Sequence, residues 1–131
     1  MMKAGWAAVA ALLLMACGSQ GSTLSGTMTV IESLPLQQSG SIGAGCTGVG
    51  GYDDLSAGTA VVVKDEGGKV LATGSLDSGK ISALETCQWS FTVSNVPDAK
   101  FYQIEVSHRG AVTYSKADLD KAGWKVQLRL G

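Results

Sequence analysis

The stretch Cys87-Gln88-Trp89-Ser90-Phe91-Thr92-Val93 alternates apolar and polar side chains. Side chains of a strand point to opposite faces in turn, so Cys87, Trp89, Phe91 and Val93 share one face and Gln88, Ser90 and Thr92 the other. This period of two predicts a half-buried strand with the cysteine and the aromatics inside. Further along, Trp124, Val126, Leu128 and Leu130 repeat the pattern against Lys125, Gln127 and Arg129.

The same period runs through the rest of the chain. Met28 and Val30 alternate with Thr27, Thr29 and Ile31 ahead of a Leu34-Pro35-Leu36 break, and a Gly- and Ser-rich loop follows from Gln37 to Gly58. Thr59–Lys64 and Lys69–Gly74 flank Asp65-Glu66-Gly67-Gly68 as a hairpin, its paired glycines permitting positive φ. Asp77-Ser78-Gly79-Lys80 predicts another turn, and Asn95-Val96-Pro97-Asp98 an end to the ladder. Tyr102, Ile104 and Val106 form the next inward set, and Arg109-Gly110 turns the chain into Ala111-Val112-Thr113-Tyr114. Ser115 to Ala122 is the one helical piece, with Ser115 as its N-terminal cap, Asp118 at the positive end of its dipole and Gly123 as its stop. About seven short strands at close spacing predict an all-β chain, an antiparallel β-sandwich of immunoglobulin-like or prealbumin-like build with one short helix near its C-terminal end.

Ahead of these strands lie Lys3, an apolar run from Ala4 to Met15, and small or polar residues from Ala16 onward, the build of an export signal. The run is shorter than the roughly 20 residues of a membrane-spanning helix. Leu14-Met15-Ala16-Cys17 resembles the lipobox of bacterial lipoproteins, with an aliphatic residue third before the cysteine and a small one just before it. By that resemblance Cys17 receives a thioether-linked diacylglycerol and becomes the mature N-terminus. Residues 1–16 are then a signal peptide, 17–25 a lipidated cysteine and flexible tether, and 26–131 the sandwich. Ordinary secretion by a cut within Ala16-Cys17-Gly18 is the alternative. A tether over residues 18–25 has a root-mean-square span of about 15 Å, which holds the domain against the extracytoplasmic face of the cell membrane.

With Cys17 assigned to lipid, Cys46 and Cys87 remain as an even pair, and a disulfide between them is expected in an oxidising compartment. Two separate reduced thiols are the alternative. The chain carries 10 Lys and Arg against 11 Asp and Glu, and the basic residues are scattered, with no stripe that points to nucleic acid or anionic lipid. Membrane association is therefore assigned to the lipid on Cys17.

The rhythm of Gly58 to Gly79, strand, Asp-x-Gly-Gly turn, strand, Asp-x-Gly turn, resembles that of prealbumin-like and carboxypeptidase-regulatory domains, which implies a sandwich and no particular ligand. The wider pattern runs from Cys46-Thr47-Gly48-Val49-Gly50-Gly51-Tyr52-Asp53-Asp54-Leu55 through Cys87 to Val106-Ser107-His108-Arg109-Gly110. It is similar to small secreted proteins and lipoproteins of actinobacteria and their temperate phages, and implies an envelope address without an activity.

Gly43-Ala44-Gly45-Cys46-Thr47-Gly48 matches the G-x-G-x-x-G dinucleotide pattern but lacks the preceding strand and following helix that the motif needs, so no nucleotide cofactor is expected. Tyr52, Asp53, Asp54 and Leu55 form the candidate partner-binding loop, because an aromatic beside two carboxylates on a loop suits recognition. The plainer reading packs Tyr52 over the disulfide and uses Asp53 or Asp54 to cap a turn. Calcium could be held by clustered oxygens here, at Asp65-Glu66 or at Asp77, but EF-hand spacing is absent and such carboxylates usually form turns. His108 is the single histidine, too few for a cysteine–histidine zinc site, and no Gly-x-Ser-x-Gly elbow accompanies it. Trp89, Phe91 and Trp124 are read as core rather than as an aromatic groove.

These features predict a non-enzymatic binding or interaction module at the cell envelope, without metal or cofactor, with an envelope or surface protein as partner. One alternative is a prophage-encoded surface lipoprotein involved in superinfection exclusion, from the phage resemblance. Others are an envelope-directed hydrolase working through Asp53 and Asp54, and a structural accessory of a membrane complex.

Overall fold

The strand around Trp89 is the longest among the described residues and organises the rest. In the computed structural model, which describes residues 21–31 and 41–130, it runs as β6 from Thr86 to Val96. Cys87, Trp89, Phe91 and Val93 are each at most 1% exposed, as their parity predicts. Along one edge β6 pairs antiparallel with β1 (Ser22–Ile31), with Met28 opposite Trp89 and Val30 opposite Cys87. Its other edge is shared by two strands. The half that starts at Thr86 takes β5 (Gly79–Ala83), whereas Phe91 and Thr92 take Leu76 and Ser75 of β4 (Val70–Leu76).

Strand β4 thereby turns the corner between two layers, because its remaining length pairs with β3 (Ala60–Lys64). Beyond β3 come β7 (Phe101–Val106) and β8 (Ala111–Ser115), all antiparallel. The opposite layer holds β9 (Lys125–Leu130), β1, β6, β5 and the two-residue β2 (Gly45–Cys46). The result is an all-β, sandwich-like fold whose layers are joined through β4 and β6, as in sandwiches where a strand switches sheets. Its core cluster of buried side chains takes Met28, Val30, Trp89 and Phe91 from one layer and Val61, Val63, Tyr102 and Ile104 from the other.

Several details differ from expectation. Nine strands are present among the described residues rather than about seven, because Gly79–Ala83, of which Gly79 and Lys80 were read as part of a turn, forms β5, and Gly45–Cys46 pairs with it. Strand β1 begins at Ser22, and Leu24 is fully buried, so residues 22–25 belong to the domain and not to a flexible tether. Strand β9 lies parallel to β1, which makes the fold mixed at that edge. A parallel neighbour needs a crossover; here the chain leaves β8 on the other layer, passes through α1 (Lys116–Lys121) and returns beside β1. Trp124 was expected to open that strand but has φ 60° and stands before it. The ladder of β6 ends at Val96, within Asn95–Asp98 as read, with Asn95 at φ 57° and the Val96 side chain still buried. The Leu34-Pro35-Leu36 break, the first part of the Gln37–Gly58 loop and Cys17 lie outside the described residues.

Local chemistry explains the turns. Asp65 Oδ1 accepts hydrogen bonds from the backbone N–H of Gly67 and Lys69, each at 2.9 Å, and only Gly68 of the two glycines uses positive φ, at 83°. Ser115 caps α1 by accepting from Asp118 N at 3.0 Å. The buried Tyr102 hydroxyl accepts from Ala99 N at 2.9 Å and donates to the Pro97 carbonyl at 3.2 Å, tying down the β6–β7 connection. Among the described residues no helix is long and apolar enough to cross a membrane.

Candidate functional site

The loop that contains Cys46 is fastened twice. Cys46 and Cys87 form a disulfide with their Cα atoms 6.0 Å apart, bridging 41 positions of sequence and tying the loop to β6. Beyond it, Gly48 N and the Thr47 hydroxyl both donate to the Leu55 carbonyl, at 2.9 and 3.3 Å. A 3-10 turn at Gly50–Tyr52 shortens the path between them, and Leu55 N closes onto the Tyr52 carbonyl at 3.0 Å. The Thr59 hydroxyl then donates to the Asp54 carbonyl at 2.6 Å. A glycine-heavy segment is thereby given the fixed backbone that its composition alone would not supply.

The second fastening is Arg109, from the turn between β7 and β8. Its Nε donates to Asp54 Oδ2 at 3.1 Å, its terminal nitrogen reaches Asp54 Oδ1 and the Gly51 carbonyl, and its guanidinium carbon lies 5.0 Å from the centre of the Tyr52 ring. One side chain thus satisfies a carboxylate, caps a loop carbonyl and stacks on an aromatic face, a combination that needs the planar guanidinium fork. The hydrogen bond from Arg109 holds the Asp54 carboxyl below its ordinary value, with help from the Ser107 hydroxyl and against a smaller effect of burial. The same pairing raises Arg109. Asp54 is consequently an ionised acceptor at neutral pH, and its chemistry is that of a fixed anion rather than of a proton donor.

The four candidate loop residues are drawn apart in role. Leu55 is completely buried in the common core and takes no part in any surface, which corrects its place in the expected binding loop. Asp54 is occupied by Arg109, Tyr52 is half-buried beneath the same guanidinium, and Asp53 is exposed. The expected turn cap is therefore an ion pair across the molecule. Arg109 is the residue that sequence reasoning missed. Its charge opposite to the Tyr-Asp-Asp run was the available signal, but 55 positions separate it from Asp54.

The remaining candidates have plain positions. Gly43–Gly48 spans a turn and the short β2, followed by the three-residue 3-10 turn at Gly50–Tyr52 and not by the α-helix that a dinucleotide site needs. Asp65 is spent on its own turn. Among the described residues no group of three or more His, Cys, Asp or Glu comes together to hold a metal ion. His108 is exposed on the β7–β8 turn. Trp89 and Phe91 are core; Trp124 is half-buried, packs edge-on against Tyr102 at 5.2 Å and donates from Nε1 to Asp120 at 3.0 Å. No family model, curated protein or solved structure matches this chain.

Proposed function

We propose that this protein is a lipid-anchored, extracytoplasmic binding module of the cell envelope, without catalytic activity, that engages an envelope or surface protein through the rim of the Cys46–Leu55 loop. The anchor rests on the lipobox-like Leu14-Met15-Ala16-Cys17 after an apolar leader. The observation that carries the binding role is the double fastening of the loop. A segment held by a disulfide at one end and by Arg109 at the other presents Tyr52 and Asp53 with little entropy left to lose, which is what a preorganised recognition surface requires. An ionised Asp54 locked onto Arg109 is also a poor general acid, which weighs against the hydrolase alternative.

The test is in-cell crosslinking and pull-down of the native protein beside Cys17→Ser and Asp53→Ala/Tyr52→Ala variants. A partner recovered with the native chain and lost with either variant is the expected result. Recovery that is indifferent to the loop variant overturns the loop as the binding surface.

A further inference from the structure

The fold gathers on one face cations that are scattered in the sequence. Strand register sets four residues in a row across β5, β6, β1 and β9: Lys80 opposite Gln88, Gln88 opposite Thr29, Thr29 opposite Arg129. A second row places Thr92, Ser25 and Lys125 side by side. All of these point away from the buried set. Three interstrand spacings separate the backbones of Lys80 and Arg129 by about 14 Å, and four strand residues separate Lys125 from Arg129 by about 13 Å. Three cations therefore ring a floor of hydroxyls and amides. Thr29 forms its deepest point, 9% exposed, and accepts from Gln88 Nε2 at 3.2 Å. Shallow concavities open on both sides of Ser90.

The charge on this face runs against that of the whole chain, which is −1. None of the residues just named is acidic, and one carboxylate, Asp77 on the β4–β5 turn, lines the concavity beside Lys80. Among the described residues the two ion pairs are Arg109–Asp54 and Lys116–Asp98, so Lys80, Lys125 and Arg129 belong to neither. The face offers no aromatic ring for a nucleobase to stack on; its exposed large apolar side chains among the described residues, Ile31 of β1 and Leu84 of the β5–β6 turn, lie at one end, beyond the row from Lys80 to Arg129.

We propose that this face of β5, β6, β1 and β9 binds an anionic polysaccharide, with Lys80, Lys125 and Arg129 meeting its acidic groups and Thr29, Gln88 and Ser90 its sugar hydroxyls. Separated cations with neutral hydrogen-bonding groups between them fit a polymer whose charges are spaced by polyol units. This interaction uses a different face from the Cys46 loop and does not rest on the reading of that loop.

The experiment is affinity electrophoresis of the full chain in neutral detergent through gels containing polygalacturonate or neutral dextran. Retardation by polygalacturonate alone, fading as salt rises from about 50 to 300 mM, is expected. The K80Q/K125Q/R129Q variant should weaken binding by about tenfold or more, while the charge-matched K64Q/K69Q/K121Q variant keeps it. T29V should weaken it by about threefold at constant charge. Absence of retardation, equal loss in both triple variants, or equally tight and equally K80Q/K125Q/R129Q-sensitive binding to phosphatidylglycerol vesicles overturns the proposal.

Discussion

Arg109 and Asp54, 55 positions apart in the chain, meet as a two-point ion pair that joins the β7–β8 turn to the disulfide-bearing loop. Each side chain is about three-quarters covered, at 24% and 29% exposure, so the pair belongs at the upper end of what partly exposed pairs contribute.

Asp54→Asn is expected to destabilise the protein by about 1 kcal/mol at pH 7, and Arg109→Lys by nearly as much, because lysine keeps the charge but loses the fork and the stack on Tyr52. The folded carboxyl is held below its ordinary value of 3.8. Its contribution is therefore fully present above that value and is lost as pH falls from there through the lowered native value. Urea unfolding of native and Asp54→Asn protein should give curves that differ at pH 7 and converge in strong acid. A constant difference across that range would remove the ion pair as its cause.

Removing the disulfide should cost roughly 4 kcal/mol on the chain-entropy account for a closed loop spanning 41 positions. The check is denaturant unfolding of Cys46→Ser/Cys87→Ser protein beside the native chain. Hydrogen exchange should show faster opening of the Cys46–Leu55 backbone than of β7. Uniform loss of protection would mean that the bridge braces the whole sandwich and not the loop in particular.

Gly26 sits on β1 directly beneath the Phe91 ring, and a Cβ there would lie 2.5 Å from Phe91 Cζ and 2.8 Å from the Val126 carbonyl oxygen. Gly26→Ala should destabilise by about 1 to 3 kcal/mol through overpacking. Adding Phe91→Leu should recover part of the alanine's cost, a coupling that a double-mutant cycle reads directly. Additive losses would place the strain at Val126 instead.

Tyr102→Phe keeps the buried ring and removes the hydroxyl that bridges Ala99 N and the Pro97 carbonyl. A loss of about 1 kcal/mol is expected, since both backbone groups lie close enough to solvent to find water. Thermal unfolding checks this, with a shift of roughly 4 °C for a domain near this size.

The layers were legible in the sequence because burial imposes a period of two: the alternate apolar residues from Cys87 to Val93, from Tyr102 to Val106, and Val126 and Leu128 all face inward as read. The Ser115 cap and the Asp65 turn were legible because their hydrogen bonds are local. What escaped was set by pairing over long distances. No periodicity says that β9 runs parallel to β1, that β4 turns from β3 onto β6, or that Arg109 lies over Tyr52. Strand β5 escaped because Gly79 opens it and reads as a turn residue. The residues of the candidate loop could not be sorted into buried Leu55, paired Asp54 and exposed Asp53 until the fold brought Arg109 to them.

The early start of β1 also has a mechanical consequence. From Ser22 onward the strand is bonded antiparallel to β6, and from Ser25 also parallel to β9. A pull on the chain at residue 21, directed along β1, would load these two ladders in shear, many hydrogen bonds at once, instead of unzipping them singly. Such a pull would meet the strand best placed to resist tension, and the force would reach the sheet interior before it could peel an edge.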